Sequence, residues 1–320
     1  EQRMADWARR NAPASEYEGL GAGRYLRSLV LGARTDIEKR ALTEGTDSAG
    51  GFTVPEPVAM ELIDLLRAQS VALRAGARTV PLSSDSNAIA KLATDPTPGW
   101  RAENAAIAES DPTFTRVLMQ PKSLAVLVKA SRELLEDSVN IGTELPRVLA
   151  AALAKEWDRV ALLGSGSANE PTGIANTANI GTASLAAALA SYAPLITART
   201  AVKTANAEPT AIIMSPRDEG TLAGLTATDG QPLTAPRQIS DLPMFTTTAI
   251  PTDGGAGTDE SVIFTGDFRH LYLGVRTEIR VEILREAFAA NHQYGFVCHM
   301  RGDIGVAHAG AFHTTTAVQG

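Results

Sequence analysis

The sequence predicts an α+β protein organised around one long helix, with a helical arm ahead of it and a long β-hairpin as its distinguishing element. Three observations carry this. Residues 143–163 repeat apolar side chains at helical spacing over about 30 Å. Residues 78–131 set two strand-like arms, 78–82 and 122–129, around about forty residues with little to bury, a length that is uncommon inside a compact domain. From Leu271 onward the chain alternates apolar and polar residues as strands do.

Residues 1–50 read as an N-terminal helical arm and linker. Tyr25, Leu26, Leu29 and Val30 share one helical face, and Ile37 extends it. Residues 1–42 lean basic: Arg3, Arg9, Arg10, Arg24, Arg27, Arg34, Lys39 and Arg40 stand against six acids. Glu44, Gly45, Asp47, Ser48, Gly50 and Gly51 give a flexible linker by composition. Glu1 stands where Met would begin a primary product, which leaves a processed terminus or a start inside a longer chain. Residues 51–78 hold an extended entry at 52–55 and a helix at 57–67, with Pro57 in the first turn and Met60, Ile63 and Leu66 on one face.

Residues 79–130 form the hairpin. Its polar middle carries Trp100, Arg101 and Glu103, then Glu109 and Asp111. A large aromatic beside charges on a polar loop is the composition of an interaction hot spot, so these five are candidate contacts with another molecule; the plainer reading is a solvated loop tip. A short helix at 131–137 follows, with Arg132, Glu133, Glu136 and Asp137 as candidate salt-bridge partners of a neighbouring copy or as a solvated face. In the long helix Leu145, Leu149, Leu153, Val160 and Leu163 form the stripe, Thr143 is the N-cap and Gly164 the stop.

Beyond a turn-rich loop at 164–173 the pattern changes. Residues 185–205 read as an Ala-rich helix, 210–214 as a buried strand, 216–225 as a helix, and 242–245 and 261–264 as strands around the glycine-rich 253–257, giving a second, mixed α/β domain. The late strands are 271–273, 276–283, 296–300 and 304–308. Arg276, Glu278, Arg280 and Glu282 alternate with Thr277, Ile279, Val281 and Ile283, a half-exposed strand whose charged face offers further inter-subunit contacts.

Composition excludes several functions. With 29 basic against 36 acidic side chains the chain carries −7, a poor basis for tight nucleic-acid binding. Cys298 is the sole cysteine, so the chain forms no internal disulfide and no thiolate zinc cluster, which fits a reducing cytoplasm. No apolar run reaches membrane-spanning length, and no secretory signal opens the sequence. Gly164-Ser165-Gly166-Ser167 follows a helix and lacks the Gly-Lys-Ser/Thr ending of a phosphate loop. No G-x-S-x-G or H-E-x-x-H occurs, and His292, His299, His308 and His313 fit no ligand spacing. Arg301-Gly302-Asp303 reads as a plain turn between two strands. No catalytic, cofactor or metal residue is expected.

Several segments, in their order, resemble the major capsid proteins of tailed bacteriophages with the HK97-type fold. Gly50-Gly51-Phe52-Thr53-Val54-Pro55 is similar to the entry after the N-terminal segment. Trp100-Arg101-Ala102-Glu103 and Glu109-Ser110-Asp111-Pro112-Thr113-Phe114 are similar to the far and returning parts of the extended loop. The run from Ala130 to Ser138 resembles the lead into the spine helix, and Leu162 to Gly166 with Glu170 to Ile174 resembles its exit. The resemblance covers about residues 45–320. It implies a peripheral domain (131–173 and 269–308), an axial domain (174–268 and 309–320) and self-assembly as hexamers and pentamers into an icosahedral shell enclosing double-stranded DNA. It further implies a portal, a scaffold or protease and decoration proteins as partners, and a place in the virion after assembly in the bacterial cytoplasm. Some members weld their subunits by an isopeptide bond between a loop lysine and a neighbour's asparagine, with a glutamate as proton acceptor. Here Asn104 and Ile107 stand where lysines are expected, Lys91 has no evident partner, and 296–303 holds no Asn and Glu pair, so no cross-link is expected. An encapsulin-type compartment of the same fold and a soluble α/β enzyme with a long lid are the alternatives.

Overall fold

The computed structural model describes residues 20–44, 52–53, 65–66, 68–94, 113–131, 133, 141–167, 169–227, 230–276, 280–284, 287–288 and 291–320. In chain order the elements are α1 (Ala22–Leu31), α2 (Asp36–Glu44), β1 (Phe52–Thr53), α3 (Val71–Arg74), β2 (Arg78–Pro81), β3 (Asn87–Thr94), β4 (Thr113–Met119), β5 (Lys122–Ser131), α4 (Ile141–Leu163) and β6 (Gly181–Ala188). They continue with α5 (Ala193–Thr204), β7 (Ala211–Met214), α6 (Pro216–Ala223), α7 (Arg237–Ser240), β8 (Met244–Thr246), β9 (Glu260–Gly266), β10 (Leu271–Val275), β11 (Arg280–Leu284), β12 (Gln293–Val306) and β13 (Phe312–Gln319). The chain divides into two compact units, one of residues 1–70, 123–157 and 277–301, the other of 71–122, 158–276 and 302–320. The division passes through α4 and through β12.

In the first unit, α1 buries Ala22, Tyr25, Leu26 and Ser28; Tyr25 and Leu26 belong to the expected face, and the side chains of Leu29 and Val30 lie outside the described ones. Ile37 does not extend it. Gly32 breaks the helix at φ +83°, a conformation that favours glycine, and Ile37 begins a separate helix with its side chain exposed. Burial pushes the Tyr25 hydroxyl up to about 12. The strands β1 and β11 are antiparallel, as are β11 and β12, and β5 also pairs with β12. Helix α4 begins at Ile141, so Thr143 lies inside it rather than capping it; Leu145, Leu149, Leu153 and Val160 of the predicted stripe are buried, Leu163 is partly buried, and Trp157 joins them. Cys298 is buried and its thiol is pushed up to about 12 by desolvation.

The second unit contains a five-stranded sheet in the order β6-β13-β9-β7-β8. Strand β7 is buried at every position, which suits a continuous apolar run covered on both faces. Leu195, Ile212, Met214, Leu222, Ile239, Ile263 and Val318 form its core, and Phe268 meets Phe312 edge to face at 5.5 Å. Ser215 caps α6 by accepting from the Asp218 N–H, and Pro216 takes the first turn.

Four further expectations are corrected. The segment read as a helix from 185 begins instead inside strand β6, and only α5 is helical. Parallel pairing of β6 with β13 overrides the alanine propensity. The C-terminal segment, read as a tail, is the buried strand β13. Arg301-Gly302-Asp303 is no turn: β12 runs unbroken through it, with Gly302 opposite Val275. The arms of the hairpin are not 78–82 and 122–129. Strand β2 pairs in parallel with β10, β5 pairs with β12, and the hairpin proper is β3 against β4. The expected helix at 57–67 lies almost wholly outside the described residues.

Candidate assembly interface

The β3–β4 ribbon is a two-stranded sheet that pairs, among the described strands, with no other. Asn87 stands opposite Met119 and Leu92 opposite Phe114, with a register shift between Leu92 and Thr94. An isolated two-stranded ribbon is marginal in water, so its root needs support. The root receives it from two glycines in the sheet beneath. Cβ atoms at Gly274 and Gly305 would lie 2.7 Å from Leu82 and Met119 and 2.7 Å from Val117 respectively, so the missing side chains are what let the ribbon seat there. Met119 is fully buried as a result.

A carboxylate completes the root. Asp303, buried on β12, accepts the Gln120 N–H at 2.6 Å and the Ile304 N–H at 2.8 Å. Desolvation pushes its acidity towards higher pH, opposed by these two N–H donors and by the charge of Lys122. Further out the apolar cover ends. Thr115, Arg116 and Leu118 are exposed, Leu118 at 46%.

The loop after the spine helix is held by one side chain. Glu170 accepts from the Ser165 hydroxyl at 2.6 Å, from the Ser165 N–H at 3.1 Å and from the Arg159 guanidinium, while Lys122 donates to its main-chain carbonyl. The Ser165 hydroxyl, the Arg159 side chain and the Ser165 N–H together hold its carboxyl down at about 2. Asp158, inside α4, accepts the Val71 and Ala72 N–H groups at 2.7 and 3.1 Å and so anchors α3. At the chain's end the Arg217 guanidinium donates to the carbonyls of Thr252, Asp259 and Val318 and to the Ser261 hydroxyl, fastening β13.

The candidate contact residues are placed as follows. Trp100, Arg101, Glu103, Glu109, Asp111, Arg132, Glu136, Asp137 and Glu278 lie outside the described residues. Glu133 is exposed. Arg276 follows the end of β10 and pairs with Asp85 at 2.7 Å, a bond within its own chain. Arg280 and Glu282 lie on β11 opposite His299 and Val297. Sequence reading missed Asp158, Asp303, Glu170 and Arg217 as anchors. Asp158 alone left a signal, an acid set among the apolar positions of α4. Among the described residues no group of His, Cys, Asp and Glu is arranged to hold a metal, and no helix is long and apolar enough to cross a membrane.

Comparison with known proteins places this architecture. The phage capsid family matches residues 50–317. The major capsid protein of Klebsiella oxytoca phage phiKO2 is 25% identical over 302 residues, covering 86% of this chain and 71% of that protein. Among solved structures, the capsid of a native GTA particle superposes with a TM-score of 0.60 at 23% identity, over 77% of this chain and 90% of its own. A chain from Mycobacterium phage Adephagia gives 0.61 at 17% identity, over 78% and 89%. These likenesses carry the fold: an HK97-like capsid architecture of mixed helices and sheets.

Proposed function

Because the chain belongs to the phage capsid family, we propose that it is a major capsid protein, a structural subunit that builds the virion shell by self-association and performs no chemistry. The observation that carries this reading is the extent of the family match, which takes in the ribbon, the spine helix α4 and the strands of both units. The finer reading is assembly as hexamers and pentamers into an icosahedral shell around double-stranded DNA. The ribbon then serves as the extended loop lying over a neighbouring copy. An uncovered two-stranded sheet with Leu118 exposed supports that role, since a partner surface supplies the apolar cover the ribbon lacks.

In this reading α4 and the late strands belong to the peripheral domain and the five-stranded sheet to the axial domain. Trp100, Arg101, Glu103, Glu109 and Asp111 at the loop, and Arg132, Glu133, Glu136 and Asp137 beyond it, contact neighbours, as do Glu278, Arg280 and Glu282. A portal, a scaffold or protease and decoration proteins are the expected partners, with assembly in the bacterial cytoplasm. The shell is held non-covalently.

Electron microscopy and size-exclusion chromatography of the purified chain test the proposal. Closed particles or capsomers of megadalton mass are expected, and a denaturing gel shows a single monomer band. A stable small oligomer with catalytic activity sinks the capsid reading; a covalent ladder on the gel sinks only the non-covalent one.

A further inference from the structure

The arm, ahead of the residues that the family matches, contains a basic cleft. Helices α1 and α2 meet at Gly32, and Arg24, Arg27, Ser28, Gly32, Arg34, Thr35 and Glu38 line a cleft of about 250 Å³, the volume of about eight waters. Three guanidinium-bearing residues face one carboxylate. That carboxylate is already committed. Glu38 accepts from the Arg34 N–H at 2.7 Å, the Thr35 N–H at 3.1 Å and the Arg24 guanidinium at 3.0 Å. Burial works against its charge, yet these donors together hold its acidity below the ordinary carboxylate range. Glu38 therefore serves Arg24 and the turn.

Arg27 and Arg34 are left over. Among the described residues neither side chain has a hydrogen-bonding or ionic partner, and the Arg27 Nε is buried with none. Among the described residues these two guanidinium groups have no acceptor, and an anion in the cleft they line would supply one. The planar fork of a guanidinium matches the oxygens of a phosphate group, and one phosphate presents enough oxygens to engage two forks.

We propose that this cleft is a phosphate-binding site, and that its occupant is a backbone phosphate of the enclosed DNA. The source assignment rests on the capsid reading; the phosphate chemistry does not. The chain as a whole carries −7 and repels a polyanion, so attraction concentrates where unpaired arginines cluster. A contact of this kind carries no sequence information, and it is weak singly and strong when repeated over many copies of a closed shell.

The test is binding of a short fluorescent DNA duplex to the full chain, with Arg27→Ala, Arg34→Ala and, as control, Arg237→Ala, whose side chain is 92% exposed beside Asp241. The expected result is about tenfold weaker binding for each cleft variant and a salt dependence shallower by about one ion, with the control unchanged. Arg27→Lys is expected to recover part of the loss, since it restores the charge without the fork. Arg34 is exposed, so its variant keeps the test valid should Arg27→Ala fold poorly. Cleft variants that bind duplex as the parent does overturn the proposal. Loss of inorganic phosphate binding with duplex binding intact overturns the DNA assignment in favour of a free phosphate, and displacement by poly-glutamate alone overturns it in favour of an acidic protein segment. Micrographs of the same samples separate the two readings: closed shells with no cleft effect remove this inference and leave the capsid function standing.

Discussion

The β3–β4 ribbon and the five-stranded sheet use the same backbone pairing and differ in what covers them. In the sheet, β7 is buried throughout and β13 lies between β6 and β9. In the ribbon the two strands pair, among the described strands, only with each other, and among its described side chains Met119 at the root is the buried one. The difference teaches where stability is stored. The sheet carries its own, while the ribbon borrows it at one end from Gly274, Gly305 and Asp303 and, in the proposed function, leaves its flanks for a neighbouring copy. Substitutions in the two regions should therefore fail in different assays.

The largest effect is expected in the sheet. Phe312→Ala removes a fully enclosed ring that packs on Phe268 and Gly266, and should cost about 3–5 kcal/mol, read as a lowered Tm and loss of soluble protein. Arg217→Ala should cost about 2–3 kcal/mol, because it strips donors from three carbonyls and leaves the buried Asp218 uncompensated; exchange of β13 amides will report it. Asp303→Ala should be milder, about 1–2 kcal/mol, and local: faster hydrogen exchange at Gln120 and Ile304 with the five-stranded sheet unaffected. If sheet amides loosen equally, the ribbon root is not an independent element.

The pH dependence of the Glu170 latch is smaller still. Its acidity lies at about 2 in the fold against an ordinary value of 4.5. A depressed carboxylate contributes stability above its unfolded pKa and loses it as pH falls through the folded one, so the latch weakens only between about 4.5 and 2. Glu170→Gln should remove that acid dependence from the unfolding curve. Leu118→Ser should change the stability of the isolated chain by less than about 0.5 kcal/mol, yet abolish or slow shell formation in light scattering. Normal assembly by that variant would remove the ribbon flank from the interface.

Much of this was legible in the sequence where local pattern and burial agree. The stripe of Leu145, Leu149 and Leu153 is what a half-covered helix requires, and the run at Ile212 and Ile213 is what a doubly covered strand requires. The errors arose where a distant partner decides. Residues 185–188 have helix-forming alanines, but β13 stands alongside and offers a ladder. Gly302 looks like a turn residue, and only its pairing with Val275 shows that the strand continues. The ribbon was placed in the right stretch with the wrong arms, because Val80 and Leu124 are as strand-like as Ile89 and Val117, and pairing cannot be read from composition. The anchors Asp303 and Arg217 were invisible for the same reason: their partners lie 183 and 101 residues away.

The burial of Cys298 has a consequence for the particle's working life. In the proposed shell, every subunit carries this thiol from a reducing cell into an oxidising medium. Held at about 12 by desolvation and fully buried within β12, the sulfur does not ionise near neutrality, which keeps it a poor target for oxidants. The shell is thus indifferent to the redox change at lysis: it neither hardens by chance disulfides nor depends on them.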